Sequence, residues 1–262
     1  MNEMKPLALV TGASSGIGLE LARQFATHDF DVVVTAEDAG LPAAAADLRS
    51  TGAVVHEVRA DLRSDDGVRQ LWAEVTGLGR PVDAAALNAG VGRGGAFLYT
   101  DLQDEFDIID LNVRSTVHLA KLVLRDMAPR DRGKVLVTSS IASTMPGSFQ
   151  AVYNASKSFL QSFTEALQDE LNDTGITLTS LMPGPTETNF FRRALMMNTP
   201  VGQSSHKDDP AQVAAQGFEA LMKGERKVLA SSLSTKVQGV VNAVLPDQVK
   251  AAAHRLMAKP TE

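Results

Sequence analysis

The sequence predicts a single α/β domain, built on a doubly wound parallel sheet with helices on both faces. Three observations lead to this fold class. Short apolar segments alternate with amphipathic segments of helical spacing, a rhythm typical of parallel strands joined by crossover helices. A glycine-rich turn joins the first apolar segment to the first amphipathic one. The 262 residues fit one large domain, and no Gly/Ser-rich or Pro-rich linker divides them.

Composition and charge argue against several classes of protein. Hydrophobic residues make up 44% of the chain and charged residues 21%, ordinary values for a globular protein with a sizeable core. The net charge of −6 argues against a nucleic-acid-binding protein, which needs a basic surface. With no cysteine and five scattered histidines, we expect neither a disulfide nor a metal site. No apolar segment is long enough to span a bilayer and no signal peptide is visible, so we expect a cytoplasmic protein.

The first predicted strand, residues 6–10, is followed by a glycine-rich turn with the spacing GxxxGxG. Gly12 permits a tight turn, Gly16 allows the backbone to approach a pyrophosphate, and Gly18 allows the next helix to pack closely on the strand. The N-terminus of that helix offers unpaired N–H groups and a positive dipole end to phosphates. We interpret the segment as a phosphate-binding turn, although such glycines also occur in turns that bind nothing.

The second predicted strand, residues 31–35, ends in Ala36, Glu37 and Asp38. A carboxylate about 20 residues after a glycine turn, at a strand end, suits the two ribose hydroxyls of NAD. The same carboxylate repels the 2′-phosphate of NADP. No Arg or Lys stands in the glycine turn or beside Glu37 in sequence. NAD is therefore favoured; the alternative is that Glu37 and Asp38 are solvated loop acids and that basic residues from elsewhere reach the site.

The remaining elements follow from periodicity and from capping and turn residues. Ser64 and the two acidic residues after it mark a helix N-terminus. Asn112 lies within a long predicted helix, where a buried Asn needs a reason and a surface Asn needs none. Pro183 and Pro185 argue against strand pairing beyond residue 181. Further strands are predicted over residues 54–58, 82–87, 133–139 and 176–181, and further helices over residues 43–50 and 102–127.

Tyr153 and Lys157 stand four residues apart, on the same side of a predicted helix whose later residues have helical apolar spacing. A phenol has an ordinary pKa of about 10, and a fixed ammonium beside it lowers that pKa toward the neutral range. The pair is therefore a candidate general acid and base. Taken by itself, the same spacing fits a solvated lysine beside a half-buried tyrosine better.

Together, these segments resemble the short-chain dehydrogenase/reductase family. The matching motifs occur in the family's order over about residues 6–188 and are specific in combination. They are the glycine turn from Thr11 to Gly18, Asp61-Leu62, Asn88-Ala89-Gly90, Asn112, Ser140, Tyr153-xxx-Lys157 and Pro183-Gly184. The resemblance implies a Rossmann fold and a catalytic tetrad of Asn112, Ser140, Tyr153 and Lys157, and the family spacing selects Ser140 over Ser139.

The same resemblance implies contacts along a nicotinamide cofactor. Asp61 and Leu62 would meet the adenine, Lys157 would hold the nicotinamide ribose, and Asn112 would anchor a water that relays protons from Lys157. Besides Glu37, Tyr153 and Lys157, the implied cofactor-binding residues are Gly12, Ser14, Ser15, Gly16, Ile17, Gly18, Asp61, Leu62, Asn88, Ala89, Gly90, Pro183, Gly184, Thr186 and Thr188.

Two departures from the family pattern bear on the choice of cofactor. Ser15 stands where NADP-using relatives often carry Arg or Lys, and Glu37 stands where many of them have Arg. Both favour NAD(H) over NADP(H). The Asp typical of NAD-using members falls nearer Ala36, so the match to those members is imperfect.

The resemblance implies an NAD(P)-dependent oxidoreductase that transfers a hydride between the cofactor and a secondary alcohol or ketone, with Tyr153 as general acid and base. Ser140, Tyr153 and Phe190 are the implied substrate contacts, and a homodimer or homotetramer is expected. The alternative is a non-catalytic cofactor-binding sensor or scaffold, although such proteins often lose the Tyr or the Lys. A nucleotide-sugar epimerase or dehydratase shares the Tyr-xxx-Lys pair, but it usually needs a larger substrate domain than the roughly 75 residues after Thr188.

Two segments outside the motifs are interpreted from their apolar residues. Residues 189–210 are predicted to form an adaptable lid over the substrate, and packing beneath a loop or at a subunit contact fits them equally well. Residues 233–262 are predicted to form a C-terminal helical extension broken near Pro246. It could serve as a substrate wall, a dimer contact or a membrane-surface helix; packing on the protein body or on a subunit is favoured, because its polar face is not strongly basic. The apolar lid residues are Phe190, Phe191, Leu195, Met196 and Met197.

Overall fold

A seven-stranded parallel sheet lies at the centre of the described structure, which comprises residues 4–230 and 246–261 of a computed structural model. The strand order is β3-β2-β1-β4-β5-β6-β7, so the direction of the winding reverses between β1 and β4. The strands are β1 (Leu7–Thr11), β2 (Asp31–Ala36), β3 (Val55–Arg59), β4 (Ala84–Leu87), β5 (Gly133–Thr138), β6 (Ile176–Pro183) and β7 (Lys227–Ala230).

Helices connect the strands on both faces of the sheet. A π-helical turn, Ile109–Arg114, lies between α4 and α5, and short 3₁₀ turns occupy Ala128–Arg130 and Ile141–Thr144. The helices are α1 (Gly16–Thr27), α2 (Leu41–Arg49), α3 (Asp65–Gly77), α4 (Leu102–Ile108), α5 (Ser115–Met127), α6 (Ala151–Glu170), α7 (Phe190–Arg193), α8 (Pro200–Gln203), α9 (Pro210–Lys223) and a C-terminal helix (Asp247–Ala258).

Two hydrophobic cores lie on opposite faces of the sheet, because successive strand residues point to opposite sides. On β1, Ala8 and Val10 belong to one core, and Leu7 and Leu9 belong to the other. The first core is closed by α1, α2 and α9, and the second by α3, α5 and α6. Burial on both faces explains why the strands are apolar runs rather than alternating sequences. The predicted doubly wound parallel fold is confirmed.

Polar residues cap the first turns of α3 and α9, and the cap at Ser64 is predicted from the sequence. The Ser64 hydroxyl accepts a hydrogen bond from the N–H of Gly67 at 3.0 Å, at the start of α3. Asp209 caps α9 by accepting from the N–H of Ala211 at 2.9 Å. These bonds satisfy first-turn N–H groups that have no partner within the helix. Each of the six predicted strands begins and ends within two residues of its predicted bounds.

The carboxyl end of β6 differs from the prediction. The strand continues through Pro183, which pairs with Ala230 of β7. On its other side, β6 last pairs with β5 at Leu181, so Pro183 extends past that neighbour. A proline is tolerated at such a position, because no ladder bond needs its missing N–H. The prediction that pairing stops before the prolines is therefore wrong, and β7, only four residues long, was not predicted.

The C-terminal extension is described only in part. Residues 231–245, which include the first half of the predicted extension, lie outside the described residues. After Pro246 the chain forms the C-terminal helix. Among the helices of the described residues, none has the length and apolar character needed to cross a membrane.

Candidate active site

A cavity lies above the carboxyl ends of the central strands, where the winding of the sheet reverses. Ligands bind at this position in open α/β sheets. The cavity is lined by every residue that the sequence predicts to contact a cofactor. These residues are Gly12, Ser14, Ser15, Gly16, Ile17, Gly18, Glu37, Asp61, Leu62, Asn88, Ala89, Gly90, Tyr153, Lys157, Pro183, Gly184, Thr186 and Thr188.

Polar side chains at the strand ends form the floor of this cavity. The Thr11 hydroxyl accepts hydrogen bonds from the N–H groups of Asn88 and Ala89, both at 2.9 Å. The Asn88 amide donates to the Thr11 carbonyl at 3.1 Å, and its oxygen accepts from the Thr138 hydroxyl at 3.1 Å. Asn88 therefore joins β1 to β5 across the end of β4, and the three strand ends are held at one level.

The glycine turn is shaped to receive a phosphate. Gly12 and Gly16 have positive φ angles of +66° and +59°, which other residues rarely adopt. A Cβ on Gly18 would lie 2.1 Å from the Gly12 carbonyl oxygen, so only glycine allows α1 to start so close to the strand. The Ser15 side chain at the N-cap makes no capping bond. The first-turn N–H groups and the positive end of α1 are thus available to an anion such as the pyrophosphate of a dinucleotide.

Lys157 is buried and Tyr153 is partly buried, so the lysine is not the solvated residue that the spacing alone favours. Lys157 is 4% exposed, and its ammonium donates to the Thr138 carbonyl at 2.9 Å. Its Nζ lies 5.8 Å from the centroid of the Tyr153 ring. Burial raises the pKa of Tyr153 to about 12, although a hydrogen bond with Ser140 opposes the rise. Burial also lowers the pKa of Lys157 to about 8.

These shifts run against the expectation that Lys157 draws the pKa of Tyr153 toward neutrality. Desolvation disfavours both charged forms and is the main cause of both shifts. The phenol therefore carries its proton across the neutral range. In this form Tyr153 is equipped to donate a proton to a ligand oxygen.

The two serines at the end of β5 point to different partners. The Ser139 hydroxyl donates to the Lys157 carbonyl at 3.1 Å, so it ties the end of β5 to α6. The Ser140 hydroxyl accepts from the N–H of Ala142 at 3.1 Å, and it interacts with the Tyr153 hydroxyl. Ser140 is thus the serine that faces the phenol, the same choice that the family spacing makes.

Asn112 is fully buried in the π-helical turn and lies behind the cavity, rather than in its lining. Its side-chain oxygen accepts from the N–H of Val91, and its NH₂ group donates to the Val91 carbonyl, both at 2.9 Å. The NH₂ group also donates to the Ser156 hydroxyl at 3.0 Å. The π turn interrupts the continuous helix predicted over residues 102–127, and π turns are frequent at functional sites. Asn112 ties the loop after β4 to α6 beside Lys157.

At the far end of the cavity, basic residues approach the acidic loop after β2. Arg63 contacts Glu37 at 2.6 Å, Asp61 at 2.9 Å and Asp107 at 2.9 Å. Hydrogen bonding to Asp61 is the main reason that the pKa of Arg63 is raised. No Arg or Lys stands beside Glu37 in sequence, but the fold places Arg63 beside it. This matches the alternative stated for this loop, that basic residues from elsewhere in the chain reach the site.

Asp38 makes a second ion pair in the same region. It accepts from the Ser14 hydroxyl at 2.7 Å and lies 3.3 Å from Arg193 at the end of α7. Burial by itself raises the pKa of Asp38, but hydrogen bonds from Ser14 and Gly40 together with the Arg193 charge give a net lowering. The carboxylate is therefore ionised at neutral pH and links the glycine turn to α7.

The substrate end of the cavity has an aromatic wall. The Phe190 ring lies 5.2 Å from the Tyr153 ring, and Phe191 and Met196 are buried beneath it. Leu195 and Met197 are 60% and 52% exposed, so the predicted lid is partly packing and partly surface. Further lining residues are not among those named individually as site residues: two precede α6, two lie within the predicted lid, and three lie in the C-terminal extension, for which a substrate wall is one of the roles considered. They are Met145, Gln150, Val201, Arg193, His254, Met257 and Ala258.

Similarity to known proteins extends over most of the chain. A family model described as short chain dehydrogenase matches residues 6–198. An uncharacterized short-chain type dehydrogenase/reductase of Sinorhizobium fredii is 37% identical over 190 residues, which cover 72% of this chain and 73% of the relative. A 3-oxoacyl-[acyl-carrier-protein] reductase of Pseudomonas aeruginosa is 30% identical over 223 residues, 82% of this chain and 89% of the relative. A solved short-chain dehydrogenase of Sphingobium yanoikuyae in complex with NADPH has a TM-score of 0.80 at 25% identity, over 91% of this chain and 93% of that one.

Burial of Lys157 predicts an unusual dependence of stability on pH. Because its pKa falls from 10.5 in the unfolded chain to about 8 in the folded chain, the unfolded state binds more protons between these values, and stability rises with pH there. We expect this residue to add about 2 kcal/mol to the free energy of unfolding between pH 8 and pH 10. Urea denaturation of the native chain and of Lys157→Met at both pH values measures the difference.

The control is Lys121→Met, which removes an exposed lysine from α5. It should keep the pH dependence of the native chain. Equal pH dependence in the native chain and in Lys157→Met would show that Lys157 keeps its ordinary pKa when folded.

Proposed function

The chain belongs to the short-chain dehydrogenase family, and we propose that Tyr153, Ser140, Lys157 and Asn112 carry out its reaction. The protein is an oxidoreductase that acts on a CH–OH or C=O group with a nicotinamide cofactor. The observation that supports the assignment of residues is the position of Tyr153 in the lining of the cavity, with Ser140 and Lys157 around it. The glycine turn, whose shape fits a phosphate, lines the same cavity.

The residues present fit a dinucleotide. The N-terminus of α1 would hold the pyrophosphate, and Asp61 and Leu62 would contact the adenine. Lys157 uses one N–H on the Thr138 carbonyl, which leaves two for ribose hydroxyls. When bound, the nicotinamide supplies or accepts the hydride.

Proton transfer is then the task of the protein. In the reductive direction, the Tyr153 hydroxyl donates its proton to the substrate oxygen while the Ser140 hydroxyl hydrogen-bonds the same atom. The phenolate that remains is stabilised by the Lys157 ammonium, 5.8 Å from the ring centroid. Asn112 acts as a positioning residue, since it fixes Val91 and Ser156 around Lys157. In the oxidative direction the same groups take the proton back.

Tyr153→Phe removes the proton donor and keeps the ring. We expect kcat for carbonyl reduction to fall by about 10³-fold, within the range for loss of a general acid. The dissociation constant of the reduced cofactor, measured by its fluorescence on binding, should change less than about threefold, because binding does not need the proton.

The matched control is Tyr99→Phe, which changes the other tyrosine, 88% exposed on the surface. Its kcat should equal that of the native enzyme. A Tyr153→Phe enzyme that reduces the same carbonyl at a near-native rate would remove Tyr153 from the mechanism.

We propose NAD(H) as the preferred cofactor. Glu37, Asp38 and Asp61 line the adenosine end of the cavity. Of the arginines near them, Arg59 donates to the Glu37 carbonyl at 2.9 Å. Arg63 is already engaged by three carboxylates, and Arg193 by Asp38. A 2′-phosphate would have to displace these partners, whereas ribose hydroxyls can hydrogen-bond to a carboxylate.

Glu37→Gln tests this preference, because it removes a negative charge and one partner of Arg63. We expect kcat/KM with NADPH to rise about tenfold, equivalent to about 1.4 kcal/mol, and kcat/KM with NADH to change less than threefold. Glu57→Gln, which removes the carboxylate of a surface ion pair with Arg49, should change neither. A native enzyme that prefers NADPH would overturn the proposal.

We also propose that the chain forms a homodimer or homotetramer. Leu102, Phe106 and Ile109 follow helical spacing on α4 and the π turn, and they are 59%, 47% and 42% exposed. Phe159 on α6 is 43% exposed, and α4 packs on α6. Neighbouring exposed apolar residues of this kind favour a contact between subunits.

Light scattering after size-exclusion chromatography measures the oligomeric state. Phe106→Asp should raise the dissociation constant of the oligomer at least 100-fold, because association would bury a charge within the apolar face. Val54→Asp changes another exposed apolar residue, before β3, and should leave the oligomer intact. A monomeric native chain would contradict the proposal.

A further inference from the structure

We infer that His254 is a specificity-determining residue, which hydrogen-bonds a hydroxyl group carried by the substrate away from its reacting carbon. The inference rests on the proposed function, because it assigns a substrate class to the same cavity. Three observations support it: the packing of the C-terminal helix at the cavity, the hydrogen bond of His254 Nδ1 to the protein, and the surroundings of His254 Nε2.

The C-terminal helix is held at the cavity by contacts along its length. The Lys250 ammonium donates to the Thr144 carbonyl at 3.3 Å, and the Ser148 hydroxyl donates to the Ala251 carbonyl at 3.2 Å. Beyond the helix, Thr261 donates to the Asn198 carbonyl from its N–H at 2.8 Å and from its hydroxyl at 2.9 Å. The helix therefore bridges the segment after Ser140 and the segment after α7.

Its inward face packs into the substrate end of the molecule. Ala258 is buried in a cluster with Phe191, Ala194 and Met196, and Phe190 packs against the same cluster. His254 and Met257 line the cavity that holds Tyr153 and Ser140. The helix is thus part of the wall that a substrate meets when its oxygen reaches the Tyr153 hydroxyl.

One nitrogen of His254 is committed to the protein. Nδ1 lies 2.9 Å from the Ser148 carbonyl oxygen. A carbonyl can only accept, so Nδ1 must donate and carries the proton of the ring. The imidazole is 6% exposed, and burial lowers its pKa despite that hydrogen bond. The ring is therefore neutral at neutral pH, with its lone pair on Nε2.

The other nitrogen is unpaired. Within residues 4–230 and 246–261, no group hydrogen-bonds Nε2, and Nε2 is not among the fully enclosed polar atoms. Its remaining access is therefore to the cavity that His254 lines. The same cavity is lined by the apolar side chains of Met145, Phe191, Val201 and Met257 and by the amide of Gln150, none of which hydrogen-bonds Nε2.

An acceptor held rigidly in an apolar wall selects for a donor. A ligand that brings a hydroxyl to Nε2 satisfies the lone pair, whereas an apolar ligand strips water from it without replacement. Sites that hydrogen-bond a substrate hydroxyl discriminate strongly against analogues that lack it. The fitting substrate is a hydroxy ketone or the corresponding diol with an apolar linker.

The test uses paired ketones that differ by one hydroxyl. The probes are 2-alkanones from 2-pentanone to 2-nonanone and the same ketones with a terminal hydroxyl, each measured for kcat/KM with NADH. We expect one chain length at which the native enzyme prefers the hydroxyketone at least tenfold. The position of that maximum reports the separation of Nε2 from the reacting carbon.

His254→Phe keeps an aromatic ring in the wall and removes the acceptor. It should abolish the preference, so that the ratio of kcat/KM for the hydroxyketone to kcat/KM for the parent 2-alkanone falls to about one. His254→Gln restores a side-chain acceptor and should recover part of the preference, which separates hydrogen bonding from packing of the helix. A preference that survives in His254→Phe, or a native enzyme with no preference at any length, would overturn the inference.

Calorimetric binding to the NAD-loaded protein separates this inference from the proposed function. If the native protein binds the preferred hydroxyketone at least tenfold more tightly than its parent and His254→Phe does not, the inference holds even where no ketone is turned over. Absence of turnover would count against the proposed function only. Equal affinities for the pair in the native protein would count against His254.

Discussion

A chain of hydrogen bonds across the carboxyl ends of β1, β4 and β5 keeps the two halves of the site together. Thr11 holds Asn88, Asn88 holds the Thr138 hydroxyl, and the Thr138 carbonyl accepts from the Lys157 ammonium. The glycine turn follows directly from β1, and Tyr153 lies one helical turn before Lys157. These hydrogen bonds therefore connect the turn that would bind a phosphate to the residues that would transfer the proton. Without these hydrogen bonds, the buried ammonium of Lys157 would lose its partner. Leaving a buried charge unpaired costs far more free energy than a surface contact contributes.

Burial governs the electrostatics of the catalytic pair. An opposite charge near a phenolate lowers the pKa of the phenol, and desolvation raises it. At Tyr153 desolvation wins, and the pKa rises to about 12. Reaching pH 7 from there corresponds to about 7 kcal/mol at 1.36 kcal/mol per pKa unit. The phenol therefore keeps its proton across the neutral range, and additional positive charge in the site would make that proton easier to release.

The sequence predicts most of the fold and much of the site, because both depend on local patterns. Periodicity and glycine spacing locate β1, the phosphate turn and α1, and ordered motifs locate Tyr153 and Lys157. Features formed by distant segments leave no local pattern. Arg63 reaches Glu37 across 26 residues of sequence, and His254 meets Ser148 across 106. The π turn around Asn112 has the same apolar spacing as the helix around it, and β7 is too short for periodicity to reveal.

The ion pair between Asp38 and Arg193 is the weaker of two attachments of α7. Its side chains are 35% and 53% exposed, and exposed pairs contribute about 0.2–1 kcal/mol. The other attachment, through buried Phe191 and Met196, is much stronger. Loss of the ion pair would therefore cost little stability, whereas loss of the buried packing would displace the aromatic wall at the substrate end of the cavity.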